Sequence, residues 1–226
     1  MNINIEYFNK YLEEKSILNG EIISDNKGKI IVYREKIKNE IIYIKKYKPY
    51  YFREKFWLKL KVRKDKVEHY LIICKLLDKI KINNVKPIYI KIKKYSFFER
   101  ASIIVMQNGG ESLENKIKNF IEAKEILKEY FDIFIKLCKN HIYPYDYNLG
   151  GALIGENGEI VLIDFDGYKR EIFLSSSQKK HLIYNLQRIY RGKNRTKEEE
   201  MFLKKEIKRV VKELKWEKDI KELINE

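Results

Sequence analysis

The chain has 226 residues, of which 44% are hydrophobic, and a net charge of +15. That length and apolar fraction suit one large domain or two lobes around a packed core and argue against a disordered chain. Its two cysteines, Cys74 and Cys138, sit in separate apolar helical patterns; this argues against a disulfide scaffold and against zinc ligation.

No apolar run approaches the ~18 residues of a membrane span, and the opening MNINIEYFNKYLEEK has no apolar signal core. The expectation is a soluble or peripheral protein of the cytoplasm. Residues 1–100 hold 25 Lys and Arg against 12 Asp and Glu, whereas residues 101–226 hold 23 against 21. A basic first half suits nucleic acid, an anionic membrane surface, or anionic substrate and nucleotide phosphates, and a lysine-rich solvated face is the plain alternative. No nucleic-acid signature accompanies the charge, so that role rests on charge alone.

In chain order, residues 3–18 read as a short amphipathic lead-in. Strand-like runs follow at Glu21–Ser24, Lys29–Ile37 and Glu40–Tyr47, separated by turn residues at 25–28 and 38–39. In the third run an apolar stretch, Ile41–Ile44, leads to Lys45 and Lys46, which strand alternation places on opposite faces. Tyr50–Lys66 interleaves basic and aromatic residues, as nucleic-acid-binding and membrane-surface segments do. Asp65–Ile82 carries an apolar helical stripe with Glu68 near its start, where a carboxylate is favourable through the helix dipole alone. Strands are expected at Val85–Ile92 and Ala101–Met106. A glycine-containing linker, Gln107–Gly110, then leads to a helix that Ser112 caps weakly. Leu113–Asn140 reads as two helices broken near Ile121–Ala123. The later chain carries a helix over Gln178–Arg191 and one or two charged amphipathic helices over Thr196–Asn225.

The chemistry concentrates between His141 and Arg170. Asp146 lies in a polar Tyr-Asp-Tyr-Asn turn. Apolar runs at Ala152–Ile154 and Ile160–Ile163 flank a Gly-Glu-Asn-Gly turn, and the second run ends on Asp164-Phe165-Asp166-Gly167. This reads as a hairpin with Asp146 before its first strand and Asp164 after its second, so both carboxylates emerge at one end. Phosphoryl transfer needs one carboxylate to orient and deprotonate a hydroxyl and another to hold Mg²⁺. A hairpin with ordinary acidic turn residues is the plain alternative.

These residues resemble the catalytic loop and metal motif of protein-kinase-like enzymes. Asp146-Tyr147-Asn148 and Leu162-Ile163-Asp164-Phe165-Asp166 are most similar to the heptose and Kdo kinases of the lipopolysaccharide core. The resemblance implies an α+β, bilobal protein-kinase-like fold, with a small antiparallel-sheet lobe over 1–106 and a mainly helical large lobe over 107–226. It implies ATP and Mg²⁺ as cofactors and a lipid-linked sugar acceptor. It also implies a location at the inner face of the cytoplasmic membrane. Asp146 takes the place of the base and Asp164 that of the metal ligand, with Asn148 or Asp166 assisting. Lys45 matches the lysine of Val-Ala-Ile-Lys, and Glu68 its helix partner. Gly28 falls in the nucleotide loop, which lacks the glycine-rich pattern, and Met106 and Gln107 fall at the adenine-binding hinge. Asn185-Leu186-Gln187-Arg188-Ile189 looks like the family's Asn-Leu-x-Arg-Leu segment. Gly151 stands where a second metal-binding Asn is expected, and Pro144 where a His often precedes the base. A small protein or small-molecule kinase, or a nucleotide-binding pseudokinase, remains open on these residues.

Overall fold

The computed structural model describes residues 5–13, 18–49, 51–117, 120–189 and 196–224. Parts of the expected 3–18 lead-in, together with Tyr50, Tyr190, Arg191 and Asn225, lie outside them. The chain packs as two units. One comprises the chain up to Lys75 together with Val85–Asn108, and the other Leu76–Asn84 together with the chain from Gly109 on.

The first unit is built on a five-stranded antiparallel sheet. Its strands are β1 (Glu21–Asn26), β2 (Ile30–Ile37), β3 (Glu40–Tyr47), β4 (Pro87–Lys94) and β5 (Arg100–Gln107), in spatial order β1-β2-β3-β5-β4. The β1–β2 turn needs positive φ at two successive positions, and Lys27 (φ 50°) and Gly28 (φ 72°) supply it. Asp25 Oδ1 accepts from Gly28 N at 2.7 Å and fixes the turn.

Side-chain alternation gives this sheet two covers. A 3₁₀ helix over Ile5–Leu12 places Phe8, Tyr11 and Leu12 on a buried cluster with Tyr33, Ile42, Ile44, Ile103 and Val105. The opposite face carries Lys45, Ser102 and Met106, since Lys45 pairs with Ile104 and Tyr47 with Ser102. Between β3 and β4 the chain forms α1 (Phe52–Lys59) and α2 (Lys66–Lys79). The start of α2 docks on that second face: Ser102 Oγ donates to Asp65 Oδ1 at 2.6 Å, and Tyr70 OH donates to Met106 Sδ at 3.3 Å.

The second unit is mainly helical. After the short β6 (Glu111–Ser112) come α3 (Leu113–Lys116) and α4 (Phe120–Lys139). Ser112 makes no side-chain cap. The helix expected to break near Ile121–Ala123 runs unbroken there. The interruption falls earlier, at the non-helical Ile117 (φ −81°, ψ 69°), because residues 121–123 contain no glycine or proline to stop a helix. Leu127, Tyr130, Phe131, Phe134 and Cys138 form the buried stripe of α4.

Two small sheets follow. Strand β7 (Ile142–Pro144) pairs with β10 (Tyr168–Arg170), and the hairpin of β8 (Ala152–Ile154) and β9 (Ile160–Leu162) extends to β6. Gly158 (φ 82°) turns the hairpin tip, where Gly155 N donates to Glu159 O at 2.9 Å. The unit ends in α5 (Ser176–Gln187), α6 (Lys197–Glu213) and α7 (Glu217–Ile224). Ser175 with Gln178, and Thr196 with Glu199, form capping boxes that start α5 and α6. No helix among the described residues is long and apolar enough to cross a membrane.

Candidate active site

The loop from Tyr145 to Gly151 lies between β7 and β8, and a hydrogen-bond chain fixes it. Asn148 Nδ2 donates to Asp146 Oδ1 at 2.9 Å, while Asn148 Oδ1 accepts from Gly151 N at 3.1 Å. Each end of the amide is therefore engaged inside the loop, and Asp146 is held from one side. The backbone of the loop is anchored below. Tyr130 OH donates to Asn148 O at 2.7 Å, Tyr147 OH donates to Tyr130 O at 2.8 Å, and the two rings stack 4.2 Å apart. Asn185 of α5 adds a third anchor, with Nδ2 donating to Tyr145 O at 2.7 Å.

The segment after β9 is drawn against this loop. Tyr145 N donates to Gly167 O at 3.0 Å. A Cβ on Gly167 would lie 2.8 Å from Asp146 Cβ and 3.0 Å from its backbone nitrogen, so only glycine lets the two segments approach this closely. Asp164 itself sits in the left-handed region (φ 58°, ψ 70°), directly before the 3₁₀ turn Phe165–Gly167. A non-glycine residue held there stores roughly 1–2 kcal/mol, a cost that clusters at functional sites. Phe165 is buried beneath, edge-on to Tyr168.

The electrostatics link the two carboxylates. Burial first, then the charges of Asp164 and Asp146, raises the Tyr168 phenol far above its ordinary range. Both acids thus act on one buried ring while remaining exposed themselves. The expected hairpin is present, and its base brings the Asp146 and Asp164 segments together.

Beside Asp146 the second unit has a cavity of about 260 Å³. Asp146, Asn148 and Gly150 form one wall, and Glu114, Asn185 and Arg188 contribute side chains. The cavity combines two carboxylates, Asp146 and Glu114, with two amides and a guanidinium, donor and acceptor chemistry suited to a hydroxylated group.

The remaining candidates lie in the first unit. Lys45 is 8% exposed on β3, between Val32 and Ile104, with its ammonium 5.3 Å from the Tyr47 ring centroid. Glu68 is exposed, and its Oε2 accepts from Asp65 N at 3.0 Å, the reach-back half of a capping box at the start of α2. Gly28 stands in the β1–β2 turn. Met106 accepts from Tyr70, and the Gln107 side chain donates to Glu40 Oε2 at 2.9 Å.

Several participants were not nominated by the sequence. Asp65, buried at 4% exposure, caps α2 through Val67 N and binds Ser102; its local signal is the Asp-x-x-Glu spacing ahead of an apolar run. Glu114 and Tyr130 carry no motif, and only the fold brings them to the loop.

No group of three or more His, Cys, Asp or Glu side chains with metal-binding geometry occurs among the described residues. Mg²⁺ needs no such group, since one or two carboxylates hold it together with substrate phosphates and water. Asp164, with Asp166 two positions on, is the carboxylate set of the second unit's loop end that suits such an ion.

No family model matches the chain, and no characterised protein matches it by sequence. Among solved structures it is similar to WaaP in complex with acyl carrier protein, with a TM-score of 0.54 at 10% identity, covering 100% of each chain. At that identity the likeness bears on architecture alone. The chain has an α+β, protein-kinase-like fold, with an antiparallel-sheet region and a helical region.

Proposed function

We propose that the chain is an ATP-dependent kinase that phosphorylates a sugar hydroxyl, heptose or Kdo, of a lipopolysaccharide inner core. The observation that carries this reading is the Asp146 carboxylate, oriented by Asn148 and laced to the Asp164 segment, at the edge of a polar cavity containing Arg188. The kinase-like fold and the residue resemblance at 146–167 support it.

In this reading Asp146 accepts the proton of the acceptor hydroxyl as its oxygen bonds to the γ-phosphorus of ATP, and the bond from that phosphorus to the β–γ bridging oxygen breaks to release ADP. Asp164, with Asp166 assisting, holds Mg²⁺, which when bound neutralises charge on the transferring phosphoryl group. Lys45 offsets the charge of the nucleotide phosphates, and the backbone near Met106 and Gln107 meets the adenine. Arg188 and Asn185 contact the acceptor, Arg188 recognising its phosphate or carboxylate. The acceptor is lipid-linked, so the protein works at the inner face of a membrane.

The test is phosphate transfer from labelled ATP to purified lipopolysaccharide core with Mg²⁺, comparing wild type with Asp164→Ala. Transfer by wild type alone is the expected result. Transfer to a protein or a small alcohol instead would move the acceptor class. A pseudokinase is the second reading, favoured by Gly151 in the place of a metal-binding Asn; ATP binding without any transfer, unchanged by Asp146→Asn, would establish it.

A further inference from the structure

The first unit carries an exposed aromatic cluster contributed by two separate segments. Phe52 and Phe56 of α1 lie 6.4 Å apart, and Phe52 lies 5.6 Å from Phe98, which is 4.8 Å from Phe97 in the turn between β4 and β5. Phe52 and Phe97 are both 68% exposed, and Trp57, Leu60 and Val62 continue the apolar surface beyond α1. A patch of this kind on a soluble protein marks an interaction surface rather than a packing accident.

Cations frame it. Residues 52–66 hold seven Lys and Arg against two acids. A groove of about 1080 Å³ runs beside the cluster, with Leu71, Ile72 and Ile92 in its walls and Lys59, Arg63, Lys94 and Arg100 among its charges. The Lys59 ammonium lies over the Phe97 ring. Desolvation first, then the Lys94 and Arg100 charges, pushes it below the ordinary lysine range. Asp65, Glu68 and Glu99 line the groove too, but seven cations outnumber these three acids, and that excess against apolar walls calls for an anion with an apolar attachment.

We infer that this face seats the protein on an anionic lipid bilayer, with Phe52, Phe97 and Phe98 entering the interface and the adjacent basic groove taking lipid phosphates. Exposed aromatics flanked by Lys and Arg, whose aliphatic stems extend the apolar area, are the composition of interfacial anchors. Single-stranded nucleic acid fits less well, because base stacking needs open ring faces. Here Lys59 lies over Phe97, and the rings pack on one another. The inference extends the lipid-linked-acceptor reading but requires no phosphoryl transfer.

Vesicle co-sedimentation tests it, done without nucleotide on the Asp164→Ala protein so that a wrong assignment of the reaction leaves the result unaffected. Phosphatidylcholine vesicles with and without a third phosphatidylglycerol are compared. Binding to the anionic vesicles at least tenfold tighter than to the neutral ones is expected. Phe52→Ser with Phe98→Ser should weaken it about tenfold further, since each removes a ring from the apolar phase. Lys59→Gln with Arg63→Gln should weaken it and flatten its salt dependence. Trp57 reports depth directly: bromine-labelled acyl chains should quench it, while the chain's other tryptophan, Trp216, is buried in the second unit. A matching circular dichroism spectrum for each variant guards against misfolding. Absent binding to anionic vesicles overturns the inference. So does binding without quenching and unchanged by the Phe variants, which would mean adsorption by charge alone. Binding of poly-glutamate in place of vesicles would overturn it in favour of an acidic protein partner.

Discussion

Asn148 donates from Nδ2 to Asp146 Oδ1 at 2.9 Å and accepts at Oδ1 from Gly151 N at 3.1 Å, so one amide clamps the base candidate to the turn that follows it. Asn148→Ala releases the carboxylate without removing it. The expected outcome is a kcat about 10–100-fold lower with KM for ATP little changed, because misplacing a reacting group by about 1 Å costs on that order. Asp146→Asn removes the proposed base and should lower kcat by about 10²–10⁴. Steady-state kinetics with the best acceptor distinguish the two. An Asn148→Ala enzyme as fast as wild type would remove the positioning role.

Gly167 is the second support of Asp146, by what it lacks. The Cβ of Gly167→Ala would lie 2.8 Å from Asp146 Cβ, closer than carbon atoms pack, so one segment must shift. A loss in kcat about as large as that of Asn148→Ala is expected, with the far-ultraviolet spectrum unchanged. Combining the two variants should give less than the product of their effects, since both act by displacing the same carboxylate.

Gly151 presents the opposite case. A Cβ there meets nothing nearer than Ile163 O at 3.7 Å. Gly151→Asn should therefore fold, with stability unchanged or raised by about 0.5 kcal/mol through the less flexible unfolded chain. It places an amide where the resembled family keeps a metal ligand, and the Mg²⁺ concentration for half-maximal transfer should fall severalfold. Unchanged Mg²⁺ dependence would show that position 151 does not face the ion.

Glu68 and Asp65 separate capping from catalysis. Glu68→Gln keeps an oxygen to accept from Asp65 N, so it should leave the melting temperature and the KM for ATP as they are. A severalfold rise in that KM would instead support Glu68 as the partner of Lys45. Ser102→Ala strips a donor from the buried Asp65 carboxylate and should cost about 1–3 kcal/mol in a denaturant titration.

The chain's legibility follows the range of the forces involved. Strands β2 and β3 and the β8–β9 hairpin were readable because alternation and turn residues act over a few neighbours, and the hairpin delivered Asp146 and Asp164 to one end. Helix α2 was readable from its stripe. What could not be read were the long-range side-chain bonds: Asn185 to Tyr145 O, Tyr130 to Asn148 O, and Ser102 to Asp65, separated by 40, 18 and 37 positions. The engagement of both ends of the Asn148 amide was equally hidden, because it depends on the backbone path of the loop rather than on residue type.

Tyrosine chemistry supplies a pH prediction. Burial raises the phenols of Tyr11, Tyr130, Tyr147 and Tyr168; Tyr11 gains further from its hydrogen bond to Glu35, and Tyr168 from Asp164 and Asp146. A group whose folded value is raised contributes stability that is fully present below its unfolded value, here about 10 for a phenol. That contribution is lost as pH rises, because the unfolded chain ionises first. Stability should therefore fall steadily above about pH 10 and show no tyrosine-linked change near neutrality. Of the 17 tyrosines, the exposed ones should ionise reversibly, while the buried set ionises only together with loss of the circular dichroism signal. Phenolate absorbance and ellipticity followed in one titration check this. Full ionisation with the ellipticity still native would show that these rings are accessible, and would undo the account of Tyr130 and Tyr147 as the fixed base on which the Asp146 loop rests.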